Sequence, residues 1–212
     1  PFALAVDTAV EMRAAELGLA VNEGARVYVL PCIAGHVGAD AAGVVLAEAP
    51  QKDEVNTLIV DVGTNAEIVV GNRHRMLAAS SPTGPAFEGA QISSGQRAAP
   101  GAIERIRISP ETLEPRFRVI GVEQWSDEEG FDEAVASTGI TGICGSGIIE
   151  VLAEMYLAEI LTADGVVDGA KAASSPRIEA DGRTFAYRIS DNVVVTQNDV
   201  RAIQLAKAAL HA

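Results

Sequence analysis

The residues best suited to chemistry form one short run, Asp61-Val62-Gly63-Thr64-Asn65. Gly63 admits turn geometry that side chains oppose, while Thr64 and Asn65 present amides and short polar groups to an oxyanion. A carboxylate just before such a turn is placed to hold Mg²⁺, usually through water, as the metal bridges phosphate oxygens. An ordinary tight hairpin would use the same residue types, so the run alone leaves both readings open. A second turn of similar chemistry, Thr83-Gly84-Pro85-Ala86-Phe87-Glu88, puts Pro85 at a first helical position, and helix N-termini attract anions. A third glycine-rich entry, Gly142-Ile143-Cys144-Gly145-Ser146-Gly147, reads equally as an anion site and as tight packing of a helix on a sheet.

The elements around these turns are legible as patterns. Residues 58–70 are two β-branched apolar runs joined through Gly and Asn, a hairpin whose first strand Asp61 closes. Gly71-Asn72 makes another turn into a third strand from Arg75 to Ser80. Upstream, residues 7–17 are Ala- and Leu-rich, with Asp7 or Thr8 as N-cap and Gly18 as a stop, and predict a short helix. Residues 26–30 predict a buried strand ended by Pro31, and the small residues of 32–47 lead into a helix. Asp40, near that helix's start, suits capping or the orientation of an attacking water. The polar tract 48–56, with Pro50, reads as a linker between two packed units. Residues 103–108 and 117–120 predict a solvent-faced hairpin, the acidic stretch 123–132 around Trp125 an exposed loop, and 164–181 a further loop. Ile148, Val151, Leu152, Met155 and Ile160 lie on one side of a predicted helix, and residues 185–189 predict a strand. A short strand at 193–195 then runs into a final helix, where Thr196 and Asp199 have capping-box spacing and Val200, Ile203, Ala206 or Lys207, and Leu210 keep a 3.6 period.

Composition sets bounds. A chain of 212 residues, 48% hydrophobic and 21% charged, suits one large or two small domains. A net charge of −13 with scattered basic residues argues against nucleic-acid binding. No apolar run approaches about 18 residues, and no basic-then-apolar leader opens the sequence, so no membrane association and a soluble cytoplasmic protein are the expectations. Cys32 and Cys144 have no metal-ligand spacing and are expected to be reduced and mostly buried, and His36, His74 and His211 do not cluster.

The order of strand, small-residue helix, polar crossing, strand, D-x-G-T-N turn, two strands, Gly/Thr turn and helix resembles the superfamily of acetate and sugar kinases, heat-shock chaperone ATPases and actin. More specifically, Leu30-Pro31-Cys32-Ile33-Ala34-Gly35-His36-Val37-Gly38-Ala39-Asp40, Val60-Asp61-Val62-Gly63-Thr64-Asn65-Ala66-Glu67, the Thr83 and Gly142 turns, Arg97-Ala98-Ala99-Pro100-Gly101-Ala102 and Thr196-Gln197-Asn198-Asp199-Val200-Arg201 resemble the C-terminal region of reductive activators of corrinoid proteins. The resemblance implies an α/β fold, a ribonuclease-H-like lobe of the actin-like ATPase superfamily with a mixed sheet and helices on both faces, as a fragment of a larger protein. Residues 1–50 would be the last strand and connecting helix of a first lobe, and 51–212 a second lobe incomplete at its C-terminus. It further implies ATP and Mg²⁺ as ligands, with Asp61 on the metal, Gly63, Thr64 and Asn65 on phosphate, Thr83, Gly84 and Glu88 completing the pocket, and Asp40 toward the attacking water. The family returns cob(II)alamin-bearing proteins to the cob(I) state using electrons from a [2Fe–2S] domain. That domain, the first phosphate motif and the adenosine motif are expected outside these residues, and the fragment alone is expected to be inactive. The implied partner is a corrinoid protein or corrinoid-dependent methyltransferase, and the chain is compatible with a homodimer. A docking module without nucleotide chemistry and a small-molecule kinase of the same superfamily are the alternatives.

Overall fold

The computed structural model describes residues 3–211. Its contacts divide the chain into two compact units, Pro1–Ser81 and Pro82–Ala212.

In the first unit, β1 (Val10–Arg13) pairs antiparallel with β2 (Arg26–Val29), from Val10 opposite Val29 to Arg13 opposite Arg26. The helix expected at 7–17 is therefore absent except for a 3₁₀ turn over Ala14–Leu17, which Gly18 does end in the left-handed conformation. Pairing with a segment more than ten residues away outweighs the helical preference of Ala and Leu, which is a weak local bias. Strand β2 is also not buried, since Tyr28 and Val29 are exposed. Helix α1 spans Ala39–Glu48 and is followed by a 3₁₀ turn, Pro50–Lys52, whose Pro50 is buried.

The central hairpin forms as its pattern predicts. Strands β3 (Thr57–Val62), β4 (Asn65–Gly71) and β5 (Met76–Pro82) lie in that order in one sheet. Gly71 is required at the second turn: its φ is +153°, and a Cβ there would stand 2.1 Å from the Arg75 carbonyl oxygen. The Asn72 side chain ties this turn down, donating to Asn56 Oδ1 at 2.9 Å and accepting from the His74 amide at 2.9 Å. Strand β3 is apolar on both faces, yet Leu58, Val60 and Val62 are 63%, 48% and 49% exposed.

The second unit is built on a mixed sheet. Strand β6 (Ala102–Ile108) pairs antiparallel with β7 (Pro115–Val119) and parallel with the two-residue β8 (Gly142–Ile143). Between β7 and β8 lies α2 (Phe131–Val135), and after β8 comes α3 (Gly145–Leu157). The β6–β7 hairpin is not solvent-faced. Ile103, Ile106, Ile108, Phe117 and Val119 are buried in one cluster with Ile148, Val151 and Met155 of α3, while Arg105 and Arg107 alternate outward. One apolar face of an alternating sheet needs a cover, and here a helix supplies it. Because β8 reaches only Ile103, the amides of Ile106 and Ile108 find no strand on that edge; they donate to Glu150 Oε2 (2.7 Å) and Glu154 Oε2 (3.0 Å) of α3.

The segment expected as loop at 164–181 contains a 3₁₀ turn (Gly169–Ala173) and β9 (Ile178–Asp181), which pairs with β10 (Thr184–Arg188), itself paired with β11 (Val194–Val195). The last helix, α4 (Gln197–His211), buries Val200, Ile203 and Ala206 on the predicted stripe. No helix of the described residues is long and apolar enough to cross a membrane.

Candidate functional site

In the β3–β4 hairpin Val62 pairs with Ala66, so the turn consists of Gly63, Thr64 and Asn65. The Gly63 amide donates to the Asn65 carbonyl at 2.9 Å, which folds the turn on itself. Asp61 sits one residue before the end of β3, half-buried, directly opposite Glu67 of β4. Residues opposite one another in an antiparallel pair share a face, so the hairpin sets two carboxylates side by side. Glu67 Oε1 in turn accepts from Ser80 Oγ of β5 at 3.1 Å. Glu67 carries no motif signal of its own; its place follows from register, since a three-residue turn closed by Val62 and Ala66 sets residue 67 opposite residue 61.

Asp40 is exposed in the first turn of α1, where its Oδ1 accepts from the Ala41 amide at 2.9 Å. The N-cap itself is Gly38, without a side chain. The capping position considered for Asp40 thus belongs to Gly38, and the Asp40 contact is local to the first turn of α1.

In the second unit, Thr83 is buried and Gly84 holds φ +75° ahead of a 3₁₀ turn, Pro85–Glu88, with Pro85 at its first position. Glu88 is exposed and lines a cleft of about 510 Å³ with Arg97, Cys144 and Ser146. Helix α3 begins at the wall of this cleft. The glycines of its entry have steric reasons: a Cβ on Gly145 would lie 2.0 Å from the Phe87 carbonyl oxygen, one on Gly147 2.5 Å from that of Ile103, and one on Gly142 2.7 Å from that of Ser94. Close backbone packing accounts for all three. The Cys144 thiol is buried 3.3 Å from Ser146 Oγ, whereas Cys32, expected to be mostly buried, is exposed in the stretch before α1. Among the described residues no group of three or more His, Cys, Asp or Glu side chains is gathered as a metal cluster.

The T-Q-N-D segment is a structural clasp. Asp199, 2% exposed, accepts from the Thr196 amide (2.7 Å) and hydroxyl (2.8 Å) through Oδ2, and from the Ser93 amide (2.8 Å) and hydroxyl (3.1 Å) through Oδ1. Gln197, also buried, donates to the Gly165 carbonyl at 2.7 Å and accepts from the Val167 amide at 2.9 Å. Capping-box spacing foretold Thr196 with Asp199 but not Ser93.

The site residues thus fall in three places, Asp40 on α1 and Asp61, Gly63, Thr64 and Asn65 on one hairpin of the first unit, and Thr83, Gly84 and Glu88 on one turn of the second. Residues 55–212 match the family model described as the C-terminal domain of RACo, the ASKHA domain, and residues 1–53 match the RACo middle region. The chain belongs to the RACo family. Within this family it is 31% identical over its whole length to the corrinoid activation enzyme RamQ of Eubacterium limosum, covering 35% of that protein. Over 60% of its length it is 34% identical to the [Co(II) methylated amine-specific corrinoid protein] reductase of Methanosarcina barkeri, covering 24% of it. A solved reductive activator for corrinoid, iron-sulfur protein superposes with a TM-score of 0.83 at 30% identity, over 99% of this chain and 32% of that one. The RACo-family chain therefore spans about a third of the length of such relatives and has the α/β, actin-like ATPase fold of the ASKHA domain, with a mixed sheet in its second unit.

Proposed function

We propose that the full-length protein is an ATP-dependent reductive activator that returns a cob(II)alamin-bearing corrinoid protein to the cob(I) state, and that residues 1–212 contribute half of the ATP/Mg²⁺ site and a docking surface for that protein. The observation that carries the reading is the D-x-G-T-N hairpin, formed in a chain of the RACo family with its carboxylate beside the turn. In this reading residues 1–50 complete a first lobe and 51–212 form most of a second, while a [2Fe–2S] domain elsewhere in the polypeptide supplies the electron.

The donor set at the turn fits a hard cation. It offers carboxylate oxygens and no thiolate or imidazole, and Mg²⁺ takes one or two carboxylates beside waters and phosphate oxygens. Asp61 would hold the metal, Gly63, Thr64 and Asn65 would line the phosphates, and Thr83, Gly84 and Glu88 are further contacts for the nucleotide in this reading. Bound Mg²⁺ supplies charge neutralisation on the phosphate oxygens. The chain's own work is positioning: the turn fixes polar groups where charge develops, and such preorganised electrostatics need no nucleophilic side chain. Asp40, whose Oδ1 accepts from the Ala41 amide, would orient the attacking water through Oδ2.

The test is reduction of a cob(II)alamin-bearing corrinoid protein by the full-length activator with a chemical reductant, followed by the cob(I) absorption band. ATP-dependent growth of that band, lost in Asp61→Ala, is expected. Equal reduction with and without ATP would overturn the reading.

A further inference from the structure

We infer that Glu67 is a second carboxylate of the Mg²⁺ site, a metal-positioning residue held by Ser80; the inference rests on the nucleotide reading of the Asp61 turn. Three facts carry it. Strand register sets Glu67 directly opposite Asp61, so both carboxylates project from the same face of the hairpin, one pair before the turn closes. Like charges directly opposite across an antiparallel pair destabilise it, and a divalent cation between them reverses that sign. Ser80 of β5 donates to Glu67 Oε1 at 3.1 Å, which fixes the carboxylate from the third strand and leaves Oε2 for another contact. The neighbouring pair on this face is apolar, Ile59 opposite Val69, the latter buried. A pair of acids beside that apolar pair matches the one or two carboxylates that Mg²⁺ takes from a protein beside phosphate.

The decisive variant is Glu67→Gln. Its amide oxygen still accepts from Ser80, so the tie between β4 and β5 is kept and only the charge is lost. In the full-length protein, binding of Mn²⁺·ADP is followed by the electron paramagnetic resonance of the metal, with ADP binding in the absence of divalent cation measured separately. The expected result is about a tenfold or greater loss of metal affinity in Glu67→Gln, together with a higher melting temperature of the metal-free protein, because the repulsion from Asp61 is gone. Ser80→Ala, which keeps the charge and frees the side chain, is expected to weaken the metal less. Unchanged Mn²⁺·ADP affinity in Glu67→Gln beside a wild type that binds would overturn the role of Glu67 and leave the nucleotide reading standing. A lower melting temperature of the metal-free variant with unchanged affinity would likewise assign Glu67 to strand packing alone. A wild type that binds neither Mn²⁺·ADP nor ADP would instead remove the nucleotide reading, and the inference with it.

Discussion

Removing the Asp199 carboxylate is expected to loosen the second unit more than any single surface change. Asp199 is 2% exposed and accepts four hydrogen bonds, two from backbone amides (Thr196 and Ser93) and two from the hydroxyls of the same residues. In Asp199→Ala the hydroxyls can turn to water, but the two amides lose their acceptor. An orphaned donor costs about 1–3 kcal/mol, so the two amides together cost about 2–6 kcal/mol, centred on about 4 kcal/mol. With a urea slope of about 2 kcal/mol per molar, typical of a unit this size, the midpoint should fall by about 2 M. The only tryptophan, Trp125, lies in the second unit with the Arg116 guanidinium 4.7 Å from its ring centroid, so its fluorescence reports that unit's unfolding. Asp199→Asn keeps one acceptor oxygen and turns an amide toward the other donors, and should fall between wild type and Ala. A midpoint shift below about 0.3 M at unchanged slope would refute the view that this carboxylate clasps α4 to the loop at Ser93.

Three further outcomes follow from the same geometry. Burial pushes the Glu150 carboxyl up, but hydrogen bonds from Arg107 and the Ile106 amide and the charges of Arg107 and Arg105 outweigh it and hold the group below its ordinary value. Its contribution is thus complete above about pH 4.5 and is lost as pH falls through the lower folded value; Glu150→Gln should flatten the acid limb of a stability profile, and an unchanged limb would contradict this. Tyr187 is fully buried, donates to the Leu113 carbonyl at 2.9 Å, and is pushed up by burial. Stability from it is complete below about pH 10 and lost as pH rises toward the folded value, so Tyr187→Phe should cost about 1 kcal/mol at neutral pH and soften the alkaline fall seen by circular dichroism. Gly145→Ala places a methyl group 2.0 Å from the Phe87 carbonyl oxygen, and should lower the melting temperature and disturb the Glu88 cleft, seen as altered amide exchange at residues 87–89.

What could be read from the sequence was what neighbouring residues decide among themselves. The D-x-G-T-N hairpin, α1, α3 and the Thr196–Asp199 cap each carry their own turn, period or capping signal, and each formed where expected. The misreadings depend on partners outside the misread segment. Val10–Arg13 becomes a strand because Arg26–Val29 pairs with it, and the β6–β7 face is buried because α3, some forty residues on, covers it. Residues 178–181, Ile-Glu-Ala-Asp, read as loop because they hold only one β-branched residue, and they become a strand by pairing with Thr184–Arg188 across the turn that Gly182 makes at φ +62°. The candidate site shows the same division. Asp61 was legible from its place before a glycine turn, whereas Glu67 is visible only once the register is fixed, and the Ser93 contact of Asp199 spans 106 positions.

The most direct test of nucleotide chemistry at the β3–β4 turn is calorimetric titration of the full-length protein with Mg²⁺·ATP, beside the same protein carrying Asp61→Ala. Binding by the wild type, lost in a variant whose circular dichroism is unchanged, is the expected result. Absence of binding by the wild type, or equal binding by Asp61→Ala, would contradict the assignment of ATP and its metal to this hairpin.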